Sequence, residues 1–387
     1  MQILNFISIF ALNSKFIIII AIVLAGLYIH IPFCKSRCIY CAFYSTTGLN
    51  LRQRYVDALC REIEFRAHNE TPTGTIYLGG GTPSQLTMAQ LYQIFKAIYI
   101  YNKVIKNAEV TIEVNPDDVT EAFVDGLKSL PINRVSMGAQ TFDDERLHFL
   151  HRRHTSAQVR QAVQLLRHAG IHNISIDLMY GFPKETISDW QHDIDAALSL
   201  DVEHLSAYCL TLEEGTPLYR MMNKGDEEKE RQMYELLIDK LTAAGYEHYE
   251  ISNFAKQGYR SRHNSSYWHD VPYIGIGAAA HSYDGSCRQW NVADIHQYIS
   301  AIERNEIPFE QEFLDDDTRY NDRITVALRT IEGLDLTPLS SKHRSYCLNE
   351  AEQFLNNGLL CLRDNHLILT REGLFVSDYI MSTLVIV

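Results

Sequence analysis

Six short β-rich runs, at 24–31, 74–78, 109–114, 132–137, 173–179 and 203–210, alternate with stretches of helical period near 51–69, 86–102, 119–129, 156–169 and 187–200. Such alternation predicts a parallel sheet with helices outside it, because a parallel neighbour is reached only through a crossover long enough to hold a helix. The stretch 156–169 shows the logic: Val159, Val163, Leu166 and Ala169 share one face, and Gly170 supplies the stop. Six units fall short of the eight that close a full barrel, so the expected fold is α/β, an open, partial barrel over 24–225. The 387 residues, 46% of them hydrophobic, suffice for that core and a smaller second one. After Gly225 the pattern changes. A helix near 227–244 and a run at 247–252 lead into a polar and aromatic loop region through Trp290, within an accessory region 226–309. From 310 to 387, helices near 319–330 and 347–357, a hairpin over 359–370 turning at Asp364-Asn365, and a closing helix near 371–384 predict a winged-helix-like domain. Residues 1–23 are an apolar leader whose only charge is Lys15. It reads either as a weak membrane anchor or as an extension outside the working domain, and it lacks the basic start of a secretory signal.

Barrel-type α/β folds carry their chemistry at the carboxyl ends of the strands. Here those ends hold Tyr28 and His30, Gly79-Gly80-Gly81-Thr82-Pro83, Glu113-Val114-Asn115-Pro116, Met137-Gly138-Ala139-Gln140, and Asp177 with Tyr180-Gly181-Phe182-Pro183; the sixth ends near Tyr208 and Thr211. Their convergence predicts one site at one mouth. The glycine run reads by itself as a tight turn, or as a place where a ligand approaches the backbone; no Gly-Lys-Ser/Thr follows, so it is not a P-loop. Glu113 suits a ribose hydroxyl or an ammonium, and by itself would also suit water. Together, on adjacent strands, these groups favour binding.

The first strand runs into Cys34-Lys35-Ser36-Arg37-Cys38-Ile39-Tyr40-Cys41. These three cysteines are too close to pair with one another, and the other five of the eight are scattered, a usage that suits a metal in a reducing, cytoplasmic compartment rather than a disulfide framework. Three thiolates on a four-iron cluster leave one iron open for a chelating ligand. A zinc site is the alternative; it wants a fourth ligand, for which His30 is the nearby option. Tyr40 is placed to touch a ligand on the open iron, or simply to pack. The formal net charge of −13 argues against nucleic acid as a partner.

At these residues the chain resembles the radical S-adenosylmethionine (SAM) superfamily, in the branch of oxygen-independent coproporphyrinogen III oxidases and HemW-type heme chaperones. The resemblance runs from about Leu27 to the C-terminus, through the CxxxCxxC loop, Tyr-Ile-His-Ile-Pro-Phe-Cys, Gly-Gly-Gly-Thr-Pro, Glu-Val-Asn-Pro, Ser-Met-Gly-Ala-Gln-Thr-Phe and Ile-Asp-Leu-Met-Tyr-Gly-Phe-Pro. It implies a partial (βα)6 radical SAM barrel. It implies a [4Fe-4S] cluster on Cys34, Cys38 and Cys41, with SAM on the fourth iron. It also implies a SAM pocket of Tyr28, Tyr40, Gly80, Gly81, Thr82, Glu113, Gln140, Arg152 and Asp177, with Thr211 a weaker match and Arg153 a neighbour easily confused with Arg152. The chemistry implied is one-electron cleavage of SAM, fed by an electron donor, in an interior covered by the second domain.

Two features separate the subfamilies within that branch. The oxidases carry a further cysteine, as CxxxCxxCxC, where this chain has Phe43. His263-Asn264-Ser265-Ser266-Tyr267-Trp268 matches the HNxxYW stretch of the chaperones, which implies heme as a ligand: imidazole binds heme iron, and the aromatics offer flat apolar surface. By itself that histidine reads as a hydrogen-bonded loop residue, and His281 is a second candidate, of more structural character. The expected function is a heme chaperone that delivers heme to acceptor hemoproteins such as respiratory enzymes at the membrane, the cluster and SAM serving regulation or assembly of a homodimer. The alternative is an oxygen-independent coproporphyrinogen III oxidase of porphyrin biosynthesis.

Overall fold

The computed structural model describes residues 24–67, 71–221 and 225–387, with the backbone of an antiparallel hairpin, Ser8–Leu12 against Lys15–Ile19. The reading of 1–23 as an anchor or an extension otherwise lies outside the described residues. Among the described residues no helix is long and apolar enough to cross a membrane.

Six parallel strands form the heart of the molecule: β1 (Ala25–Ile31), β2 (Thr73–Gly80), β3 (Val104–Val114), β4 (Arg134–Gln140), β5 (Asn173–Tyr180) and β6 (His204–Cys209), paired in that order. Their outward residues, among them Ile29, Ile76, Ile112, Val135, Ile174 and Leu205, are fully buried beneath the crossover helices. Each such side chain contributes roughly 1.5–3 kcal/mol by leaving water. The inward residues are polar: Tyr28, Tyr77, Glu113, Arg134, Ser136, Asp177 and Ser206 face a cavity. Parallel strands covered on both faces by helices are apolar on both. A polar inner face is therefore an expense justified by a ligand rather than by the fold.

The helix Ser156–His168 buries Val159, Ala162, Val163 and Leu166, opens on Thr155 paired with Gln158, and ends at Gly170, whose φ of +87° only glycine adopts freely.

The stretch expected to be loop through Trp290 is instead ordered structure. It holds a helix, Arg262–Trp268, and strands β9 (Tyr273–Ile276), β10 (His281–Tyr283) and β11 (Cys287–Asn291); they follow β7 (Glu247–Glu250) and β8 (Asn253–Ala255) and precede β12 (Phe309–Phe313). Strands of three to five residues are too short to display a period, which is why they read as loop. β9 joins β1 in parallel, as a seventh parallel strand, and the sheet runs β12-β11-β10-β9-β1-β2-β3-β4-β5-β6-β8-β7.

A separate winged-helix-like core gathers Tyr320, Ile324, Leu334, Cys347, Phe354, Leu367 and Ile380. Its hairpin turns at Asp364 and Asn365, both at positive φ, as a tight two-residue turn requires. The closing helix is two, Arg371–Leu374 and Ser377–Leu384. This unit does not cover the mouth of the barrel. It packs on the flank, where Arg231 pairs with Glu372 and Arg371 with Asp239 along the helix Glu227–Ala243, Ile331 N donates to Tyr249 O at 3.1 Å and the Arg329 guanidinium lies over Trp268.

Candidate functional site

The strand ends meet at a cavity of about 820 Å³. Cys34, Cys38, Cys41, Tyr28, Tyr40, Gly80, Gly81, Thr82, Glu113, Gln140, Arg152, Asp177, Thr211 and His263 all line it. One space thus unites residues from seven stretches of chain.

The cysteine loop is pinned by its apolar members. Phe33 is fully buried beneath it, and Ile39 packs with Leu150, Met179, Phe182, Leu210 and Leu218 in a small core of its own. Cys34 N donates to Thr46 O at 2.9 Å, and Leu218 N to Ile39 O at 3.0 Å. The thiols are left facing the cavity. Burial pushes Cys34 and Cys41 up; the Thr82 hydroxyl, 3.6 Å from Cys34 Sγ, opposes this. Among the described residues no three His, Cys, Asp or Glu side chains gather tightly enough for a single metal ion. The three thiols, close enough for one to feel another's charge and borne on one short loop, suit a cluster in which each binds a different iron. Arg152 Nη1 lies 3.5 Å from Cys38 Sγ, a cation beside a group that must be a thiolate to ligate. The donor set therefore fits an iron–sulfur cluster.

Arg152 and Arg153 separate cleanly. Arg152 Nη2 donates to Asn115 Oδ1 at 2.7 Å and to Gly138 O at 2.6 Å, whereas Arg153 turns away to Asp117 and Asp118. Gln140 sits at a bulge between β4 and β5 with φ of +68°, and its amide folds back over Gly138.

Much of the glycine run's role is packing. A Cβ on Gly80 would lie 2.4 Å from the His30 ring, and one on Gly81 2.7 Å from the Pro32 carbonyl carbon. Protein, not ligand, claims that space. The Gly80 N–H does face inward, donating to Glu113 Oε2 at 3.0 Å while Tyr77 OH donates to Oε1 at 2.8 Å. Burial raises Glu113 to about 7 and Asp177 to about 6, against the pull of those hydrogen bonds and of Ser206 and Ser136 at Asp177.

His263 forms the floor. Its helix is anchored by Glu109, which accepts from Arg262 N at 3.0 Å and from His263 N at 2.9 Å. The ring lies beside Tyr77, centroids 5.1 Å apart, with Nδ1 2.8 Å from Thr75 Oγ1 and Nε2 2.9 Å from Tyr267 OH. Burial, then Arg134, lowers its pKa to about 3, so the ring is neutral. His281 is not among the cavity residues; it is exposed on β10, stacked on Trp290. Phe43 stands at the mouth, 72% exposed.

Reading strand ends alone missed Tyr77, Arg134, Ser136 and Ser206, all cavity residues, whereas it included Asn115. Period-2 alternation along β4, Arg134-Ser136-Gly138, carries the signal that finds them.

With this geometry in place, the comparisons are specific. The radical SAM superfamily model matches residues 28–197. The chain is 39% identical to the heme chaperone HemW of Bacillus subtilis over 297 residues, 73% of this chain and 77% of that one. It is 34% identical to HemW of Mycobacterium tuberculosis over 373 residues, 93% and 94% of the two chains. The crystallised coproporphyrinogen III oxidase HemN of Escherichia coli shares the fold with a TM-score of 0.82, at 22% identity, over 94% of this chain and 90% of that one. The chain has the fold of a radical SAM protein, and it belongs to the HemW family within that superfamily.

Proposed function

We propose that this chain binds heme at the floor of the cavity and delivers it to acceptor hemoproteins, beneath a rim that holds a [4Fe-4S] cluster and SAM. The observation that carries this reading is that a neutral His263 and Tyr267 line the same cavity as three thiols, while exposed Phe43 stands where the oxidases have a cysteine. Relatives that carry the heme chaperone name support it.

Cys34, Cys38 and Cys41 would hold the cluster. Tyr28, Tyr40, Gly80, Gly81, Thr82, Glu113, Gln140, Arg152 and Asp177 would hold SAM. When bound, the cluster supplies a one-electron reductant with an open iron for SAM. The residues' own work is then electrostatic. Arg152 would face the Cys38 sulfur as it ligates the cluster, and Glu113 and Asp177 would face the cationic ligand. Ligation of heme iron by His263 exchanges its bond to Tyr267 for the metal. We assign the barrel to 24–225, the accessory strands to 226–309 and the winged-helix-like unit to 310–387, and place the chain in the cytoplasm, where eight free cysteines are stable.

The test is a hemin titration of anaerobically reconstituted protein beside a coproporphyrinogen III assay. A shifted Soret band that is lost in His263→Ala, with no vinyl-group formation, is expected. Vinyl products would favour the oxidase instead.

A further inference from the structure

Arg134 opens β4 with its side chain on the cavity wall, yet is only 1% exposed. Neither Nε nor Nη1 finds a hydrogen-bond partner, and the guanidinium enters no ion pair among the described residues. Other arginines buried near this site leave only Nε unmet: Arg146 pairs with Glu185 and Asp193, and Arg152 bonds Asn115 and Gly138, whereas Arg134 lacks any such partner. A guanidinium cannot discharge by losing its proton. Burying it without a partner costs several kcal/mol. Directly across the sheet, in register with Arg134, stands Thr111, fully buried, and its hydroxyl is also without a partner. Three unmet polar atoms thus meet at one level of the barrel.

We propose that Arg134 makes the cavity floor a carboxylate-binding subsite, which takes a propionate arm of the bound porphyrin. The subsite rests on the heme-binding reading above. Both unmet guanidinium atoms are donors, so the missing group is an acceptor, and the positive charge favours an anionic one. The planar fork of N–H groups matches the two oxygens of a carboxylate. Glu113 and Asp177 feel the Arg134 charge without pairing to it, and they face the cavity on adjacent strands where a cationic ligand would engage them.

The experiment compares hemin with hemin dimethyl ester, which carries the same ring without the negative arms, on the cluster-loaded full chain. Wild type should bind hemin about 10–100-fold more tightly than the ester, the range of a charged hydrogen-bond pair. In Arg134→Gln that preference should vanish, while Arg134→Lys retains part of it. Iron and sulfide loading of the cluster and the unfolding midpoint should match wild type in both variants, which a merely structural role would not allow. An unaltered acid-to-ester preference in Arg134→Gln overturns the subsite and leaves heme binding standing. Equal affinities in wild type overturn it even if neither variant loads its cluster. Absence of any hemin spectrum in wild type overturns both readings.

Discussion

At the rim of the cavity, the functional residues come from contiguous stretches at strand ends, held by backbone hydrogen bonds and by glycines against which protein packs. At the floor, they come from alternate positions inside strands and from a helix supplied by a distant part of the chain. The rim is charged and exchangeable: thiols, Arg152, and carboxylates raised to about 7 and 6. The floor is kept neutral except at Arg134; burial lowers His263 to about 3. The contrast teaches a division of labour. A rim that binds a metal cluster must present several ligands from one short loop, whereas a floor that receives a bulky ligand can be assembled residue by residue.

The sharpest way to break this division is at the thiols. Cys34→Ala, Cys38→Ala or Cys41→Ala should each abolish cluster loading, read as iron and sulfide content, while hemin binding at the floor persists. Loss of hemin binding as well would merge the two ends. The carboxylates come next. SAM is cationic, and a carboxylate whose pKa burial has raised is protonated, hence neutral, below that pKa. SAM affinity should therefore rise at least about tenfold between pH 5.5 and 8, as Asp177 and then Glu113 ionise. Glu113→Gln should flatten the upper part of that profile; a flat wild-type profile would remove Glu113 and Asp177 from the site.

Packing at the rim gives a smaller effect. Gly81→Ala puts a methyl 2.7 Å from the Pro32 carbonyl carbon and should cost about 1–3 kcal/mol in denaturant unfolding of the cluster-free protein. Unchanged stability would mean that the run is kept for ligand approach alone. The smallest effect sharpens the floor. Tyr267→Phe removes the hydroxyl 2.9 Å from His263 Nε2 and should tighten hemin binding a few-fold, since that bond must be given up for iron. Weaker binding would assign Tyr267 a contact with the porphyrin itself.

What was legible in the sequence follows the same line. The six strands and their helices show through because long apolar runs reveal their period, and the rim shows through because its residues cluster in short stretches. Arg134 and Thr111 were hidden: neither stands at a strand's carboxyl end, and only the pairing of β3 with β4 brings them level. The strands between Tyr273 and Asn291 were hidden by their brevity. The placement of the winged-helix-like unit against the barrel's flank could not be read at all, since it depends on surface contacts such as Arg329 on Trp268 and Arg231 with Glu372 that carry no periodicity.

The account depends most on three thiols leaving one iron of a cluster free at the rim. EPR of the anaerobically loaded, reduced full chain, recorded before and after SAM is added, tests this directly. A cluster spectrum that changes with SAM is the predicted result. A chain that retains zinc alone, or a spectrum indifferent to SAM, would contradict it.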